Sequence, residues 1–284
     1  MLIRIWLLIL WFVIGGCQVQ IKDRILLFSP SLFSHAPFAF VPKETILPKD
    51  ARYIGQLRSY AFFAPLDCDY ESIIDKMEQA GRKNGANLGV IVQDKKMNNP
   101  PDCHEIKVNL YLLNDISPFE SGIVWSPARK LSKQDFKGVK EMRSSQSSAY
   151  FSTPYHSRYL LRGISLSAKA TFDCRLSYWV DSVSGLKEQS ELQFFQFLFD
   201  IQEVYKRHFL SQLDLSLKHK HSVTQKIDSI YRSNHSACEL KKDAFQLSVK
   251  AERKISQEWY RWRGWMLDSL KTYETGEVKI NLKP

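Results

Sequence analysis

The stretch that most constrains the fold is Ser190 to Leu210, whose apolar residues recur at helical spacing. Phe194, Leu198 and Ile201 lie three or four residues apart, so on an α-helix they share one face and need a core to cover it. Burying such a side chain contributes about 1.5 to 3 kcal/mol. Beyond it, apolar residues from Val223 to Leu270 fall mostly three or four apart, with no Pro before the last residue and no Gly before Gly264. The pattern predicts a long helix, with room for one break, packed on its predecessor. Trp259, Trp262 and Trp265 belong to this pattern and fit helix packing; a ligand groove is the other use of such a trio.

Upstream, Ser147 to Ser157 and Gly163 to Val180 alternate as strands do. Further back, Arg52 to Phe63 reads as a strand and Asp69 to Lys83 as a helix that Gly85-Ala86-Asn87 ends. Leu88 to Gln93 and Glu105 to Leu113 come next as strands around the turn-rich Asn98-Asn99-Pro100-Pro101-Asp102. The expected fold class is therefore α+β: a small β-α-β-β domain over residues 51–115, then an antiparallel-sheet domain with two long packed helices over residues 119–284.

At the N-terminus one cation, Arg4, precedes the apolar run Ile5 to Ile14 and the ending Gly15-Gly16-Cys17. A run this short does not span a bilayer of about 30 Å. It reads as a lipoprotein signal peptide over residues 1–16, with Cys17 becoming the lipidated first residue and tying the chain to a membrane. Gln18 is not the Asp that retains many lipoproteins at the inner membrane, which places the expectation at the outer membrane of the cell envelope. Residues 17–50, with Pro30, Pro37, Pro42 and Pro48, read as a tether, although their phenylalanines are numerous for a free linker. The net charge of +10 would suit nucleic acid or acidic lipid; export argues against nucleic acid and leaves anionic headgroups or plain solvated surface. The basic residues read as scattered, with Lys218-His219-Lys220-His221 the densest group, a solvated helix end.

With Cys17 assigned to lipid, Cys68, Cys103, Cys174 and Cys238 remain, and four cysteines allow three pairings. Pairing within domains predicts Cys68 with Cys103 and Cys174 with Cys238, each worth about 4 kcal/mol in the chain-entropy view. There is no Cys-x-x-Cys spacing, so redox catalysis and a cysteine zinc site are not supported.

Leu192, Phe199, Asp200, Ile201, Glu203, Tyr205 and Arg207 fit the frame Leu-x-His-Glu-x-x-His-Phe-Asp-Ile, then Glu, then Tyr-x-Arg. In this the stretch resembles the zinc helix of an uncharacterised family of bacterial zinc proteases. Leu131, Asp135, Phe136 and Gly138 fit that family's opening motif, Ser177-Tyr178-Trp179-Val180 is similar to its Ser-Trp-Val, and Trp262, Met266 and Leu270 to its tail. The resemblance implies two His on one helix face holding Zn²⁺, with a Glu between them as general base. Those positions are Phe194, Phe195 and Leu198, and the Phe245 to Glu252 region, where a third ligand would fall, has no His. Ala80, Gly85-Ala86-Asn87, Cys103-His104, Ile106, Leu110 and Tyr111 resemble small envelope-lipoprotein domains. His104 there reads as a polar strand-edge residue.

The resemblance and its gaps together imply a catalytically degenerate protease scaffold: no metal or other cofactor, a non-enzymatic binding or structural role, and a protein partner in the envelope. The alternative is a zinc-dependent peptidase or other hydrolase using displaced residues, of which His208, His219, His221 and His235 are the histidines nearest the helices.

Overall fold

Strands β3 (Arg52–Tyr60), β4 (Leu88–Lys96) and β5 (His104–Leu112), the last alternating in burial, build a sheet with two differently covered faces. The computed structural model describes residues 19–27, 29–32, 36–60, 68–97, 103–139, 146–160, 163–180, 185–216, 223–251, 255–272 and 278–281. The chain is mixed α+β and divides into two units, Met1–Glu120 and Ser121–Pro284. Among the described residues no helix is long and apolar enough to cross a membrane. The signal-peptide stretch, Cys17 and the Lys218 to His221 cluster lie outside the described residues.

In the first unit, α1 (Tyr70–Lys83) starts at Asp69, whose carboxylate accepts from the Ser72 amide at 2.9 Å. It ends at Asn84 and Gly85, the latter at φ +76, where a side chain would be strained. Ile73 and Met77 of α1 pack on Ile54, Leu57, Ile106, Val108 and Leu110 of the sheet. The opposite face buries Leu88, Val90, Leu113 and Ile116.

The tether expected over residues 17–50 is instead built in part into this sheet. Residues 20–25 form β1 (Gln20–Ile25), antiparallel to β3, and residues 39–42 form β2 (Ala39–Pro42), parallel to β4. The sheet has five strands in the order β1-β3-β5-β4-β2. Four glycines explain the docking, because each leaves room that this segment fills. A Cβ on Gly81 would lie 2.7 Å from the Phe38 ring, and one on Gly89 2.7 Å from the Phe40 ring. At Gly85 it would meet Ser29 at 2.5 Å, and at Gly55 the Arg24 carbonyl at 2.5 Å. Phe38 and Phe40, with ring centroids 5.0 Å apart, are the plugs of these hollows.

In the second unit, β10 (Thr171–Tyr178) pairs with β6 (Gly122–Val124) and β7 (Ser148–Ser152). A second sheet joins β8 (Tyr155–Leu160), β9 (Gly163–Ala168) and β11 (Val278–Asn281). β11 lies beyond the expected helices and returns antiparallel to β9. The long run is α2 (Leu186–Ser216), followed by α3 (Val223–Ala251) and α4 (Ile255–Thr272). Both α3 and α4 pack on α2 within the run predicted as one long helix with room for a break, and residues 252–254 between them lie outside the described residues.

Candidate functional site

Helix α2 is where the chemistry was expected, and its two kinds of residue have different fates. Phe195, Leu198 and Ile201 are buried, and Phe194 is half-buried against the same core. Phe195 packs on Phe136 (5.3 Å between centroids) and Trp179 (6.4 Å). Phe194 stacks on Phe245 of α3 at 5.5 Å and 19°, and Phe197 meets Phe245 at 4.4 Å. The helix position of the first expected ligand and the start of the region of the third therefore touch, as hydrocarbon on hydrocarbon. The space beside α2 is filled by Phe136, Trp179, Phe245 and Trp262. None of Phe194, Phe195, Leu198 or Phe245 carries a lone pair, so these residues do not fit a zinc ion.

The polar residues of the same helix are buried and bonded. Asp200 accepts from Trp125 Nε1 at 2.7 Å and from Gln196 Nε2 at 3.0 Å, while Gln196 Oε1 accepts from the Leu131 amide at 2.9 Å. Burial pushes the Asp200 carboxyl above its ordinary range, against those hydrogen bonds and the Lys130 charge, which lower it. Glu203 binds Lys206 at 2.9 Å and Arg207 Nε at 2.8 Å. Arg207 Nη1 donates to the Leu270 carbonyl at 2.6 Å, tying α2 to the end of α4, and its guanidinium lies 5.5 Å from the Trp125 ring centre.

The opening motif works in the same way. Asp135 is buried, accepts from the Ser132 amide at 2.6 Å and receives Arg129 at 2.6 Å. A Cβ on Gly138 would lie 2.6 Å from the Arg175 carbonyl, and the Gly138 amide donates to the Ser177 carbonyl at 2.7 Å. Ser177 bridges the irregular stretch of β10: its hydroxyl donates to the Asp173 carbonyl at 2.6 Å and accepts from the Tyr150 amide at 2.8 Å. Trp179 Nε1 is buried with no hydrogen-bond partner among the described residues.

Cys68 and Cys103 are joined, tying the start of α1 to the start of β5. The expected Cys174 to Cys238 bridge is not formed, and both residues are buried thiols. Cys238 Sγ instead donates to Gln202 Oε1 at 3.5 Å, and Gln202 Nε2 donates to the Thr153 hydroxyl at 2.5 Å. Burial pushes the Cys238 thiol up to about 12, which keeps it protonated and a poor nucleophile. Nearby, Asn234 Nδ2 donates to His208 Nδ1 at 2.9 Å, and burial lowers the His208 pKa below the ordinary value. His235 stacks on Tyr231 at 6.2 Å. His104 pairs with Asp94 at 2.7 Å and is edge-on to Tyr70. The tryptophan trio packs rather than lining a groove: Trp259 lies on Phe197, Trp262 on Phe245, and Trp265 on Trp262.

Among the described residues no group of three or more His, Cys, Asp or Glu could hold a metal ion. The partners Gln202 and Asn234 escape sequence reading, because a polar residue on a long helix looks solvated until its cross-chain partner is placed. No protein-family model, curated protein or solved structure matches this chain.

Proposed function

We propose that this is a lipid-anchored protein of the cell envelope, in the outer membrane, whose second unit is a zinc-protease-like scaffold serving a non-enzymatic binding or structural role. The observation that carries the reading is the split on α2. Residues matching the protease frame, Asp200, Glu203 and Arg207, hold structural bonds, whereas Phe194, Phe195 and Leu198 are hydrocarbon packed against Phe245, Phe136 and Trp179. The Trp179 N–H, without an acceptor among the described residues, supports it further. A buried donor without an acceptor costs about 1 to 3 kcal/mol, and Trp179 packs on Phe195, where the resembled family has a carboxylate.

A hydrolase using displaced residues is the weaker reading. His208 Nδ1 accepts from Asn234 and its pKa is lowered by burial, and Cys238 is kept as a thiol. A protein partner in the envelope would then be met by surface, not by a reacting group. The anchoring half of the proposal is tested at Cys17. Metabolic labelling with a fatty acid should mark the wild type, and Cys17→Ala should lose the label; label retained in the variant, or absent from wild type, contradicts it.

A further inference from the structure

We propose that the uncovered part of the sheet face opposite α1 in the first unit, centred on Lys22, Arg58 and Lys107, docks on an anionic lipid surface. The strand register places Lys22 directly opposite Arg58, and Arg58 directly opposite Lys107. Like charges facing each other on adjacent strands destabilise a sheet, so this row calls for a counter-charge. Arg24 stands in the next row, opposite Gln56, and Lys95 faces Glu105. Glu105 stands on this face and is already engaged, accepting from Arg58 Nε at 2.9 Å. Lys22 and Arg58 both lie over the Tyr60 ring, at 4.6 and 4.9 Å, giving the patch the amphipathic aromatic that membrane interfaces favour.

The charge is segregated rather than general. In residues 19–120 acidic residues outnumber basic ones by one. On the sheet's other face α1 is mixed in charge, with Asp69, Glu71, Asp75 and Glu78 beside Lys76, Arg82 and Lys83. Leu26 and Leu27 come directly after β1 and are 59% and 47% exposed, which places uncovered hydrocarbon at the end of the strand that carries Lys22 and Arg24.

Chain length points to the same occupant and rests on the anchoring proposed above. With residues 20–25 in the sheet, Cys17 is three residues from β1, and three residues reach at most about 11 Å. A lipidated Cys17 thus leaves the sheet no freedom to stand off from the headgroups. Each Lys or Arg near an anionic surface strengthens binding about fivefold, the equivalent of about 1 kcal/mol.

The test uses the full chain reconstituted in phosphatidylcholine vesicles, with and without about one third phosphatidylglycerol, and a water-soluble amine reagent. Lys22 and Lys107 are expected to react at least about fivefold more slowly in the anionic vesicles. Exposed Lys83 on α1 should react equally in both, and about 0.5 M NaCl should erase the difference. In Lys22→Gln with Lys107→Gln, slowed hydrogen exchange of residues 55–60 on anionic vesicles should be lost. Equal reaction of Lys22 and Lys107 in both lipids overturns the inference, and so does equal protection in both, which would assign the face to a protein contact. Flotation in high salt reports the anchor separately. A chain that floats with its lysines unprotected fails this inference alone, and one that is protected at low salt but released by high salt fails the anchoring alone.

Discussion

The two units close their cores by opposite means. The first uses absences: glycines at 55, 81, 85 and 89 leave hollows that Arg24, Ser29, Phe38 and Phe40 fill, and a disulfide from Cys68 to Cys103 secures the helix to the sheet. The second uses bulk. Phe136, Phe172, Phe195, Phe199, Phe245 and Trp262 interlock, and buried charges on α2 tie loops and helices to it. The comparison teaches that the seam between α2 and α3 is closed by rings, with Phe194 and Phe197 packed on Phe245. The second unit's thiols, Cys174 and Cys238, sit buried within that same core.

The sharpest break between the units is redox. Cys68→Ser, or reduction of the wild type, is expected to destabilise the first unit by about 4 kcal/mol, from a loop of 35 residues no longer closed in the unfolded chain. The second unit should keep its denaturant midpoint, monitored by tryptophan fluorescence, because all tryptophans of the described residues lie in it. A reductant-sensitive second unit would mean that its thiols are joined after all.

Next in size is the hollow at Gly89. Gly89→Ala places a methyl 2.7 Å from the Phe40 ring and 2.9 Å from Val108 Cγ1. The expected cost is about 1 to 3 kcal/mol in the first unit, read by urea unfolding. Gly264→Ala, where nothing lies within 4 Å of the added carbon, should instead be neutral or slightly stabilising, as a helical glycine replaced by alanine gains up to about 1 kcal/mol.

The smallest effect is electrostatic and confined to the second unit. The pKa of His208 is lowered by burial, so the folded chain binds its proton less readily than the unfolded one. Stability therefore falls as pH drops below the ordinary histidine value and levels off below the lowered one. Asp200, raised by burial, acts in the opposite sense at lower pH: its protonation relieves part of the cost of a buried charge. His208→Gln should flatten the loss near pH 6, and Asp200→Asn the gain in the carboxylate range, in thermal melts across pH. An unchanged profile in either variant would show that the group titrates as if unfolded.

Much of this architecture is legible in the residues. The Ser190 to Leu210 period names α2, helical spacing from Asp69 and the stop at Gly85 bracket α1, and alternation marks β3. What escapes is whatever depends on a distant partner. β2 is four residues ending in Pro42 and pairs with a strand nearly fifty residues away, so no local period announces it. The numerous phenylalanines of the supposed tether and the glycines of the domain are matching halves of one signal, readable only together. Cysteine spacing likewise says nothing of Cys238, whose neighbour proves to be Gln202. In the site the missing donors at Phe194, Phe195 and Leu198 are legible at once, but not that Phe245 stacks on the first of them.

The central claim is that the α2 and α3 seam is core and holds no catalytic metal, and the most direct test is a zinc titration of the second unit's melting temperature in the intact chain, with metal content measured on the same sample. A ligand that binds only the folded state at about 100 times its dissociation constant adds about 2.7 kcal/mol. A packed seam predicts no stoichiometric zinc and no shift with zinc or chelator. One zinc per chain, a melting temperature that rises with zinc and falls with chelator, and peptide cleavage lost in step would contradict it.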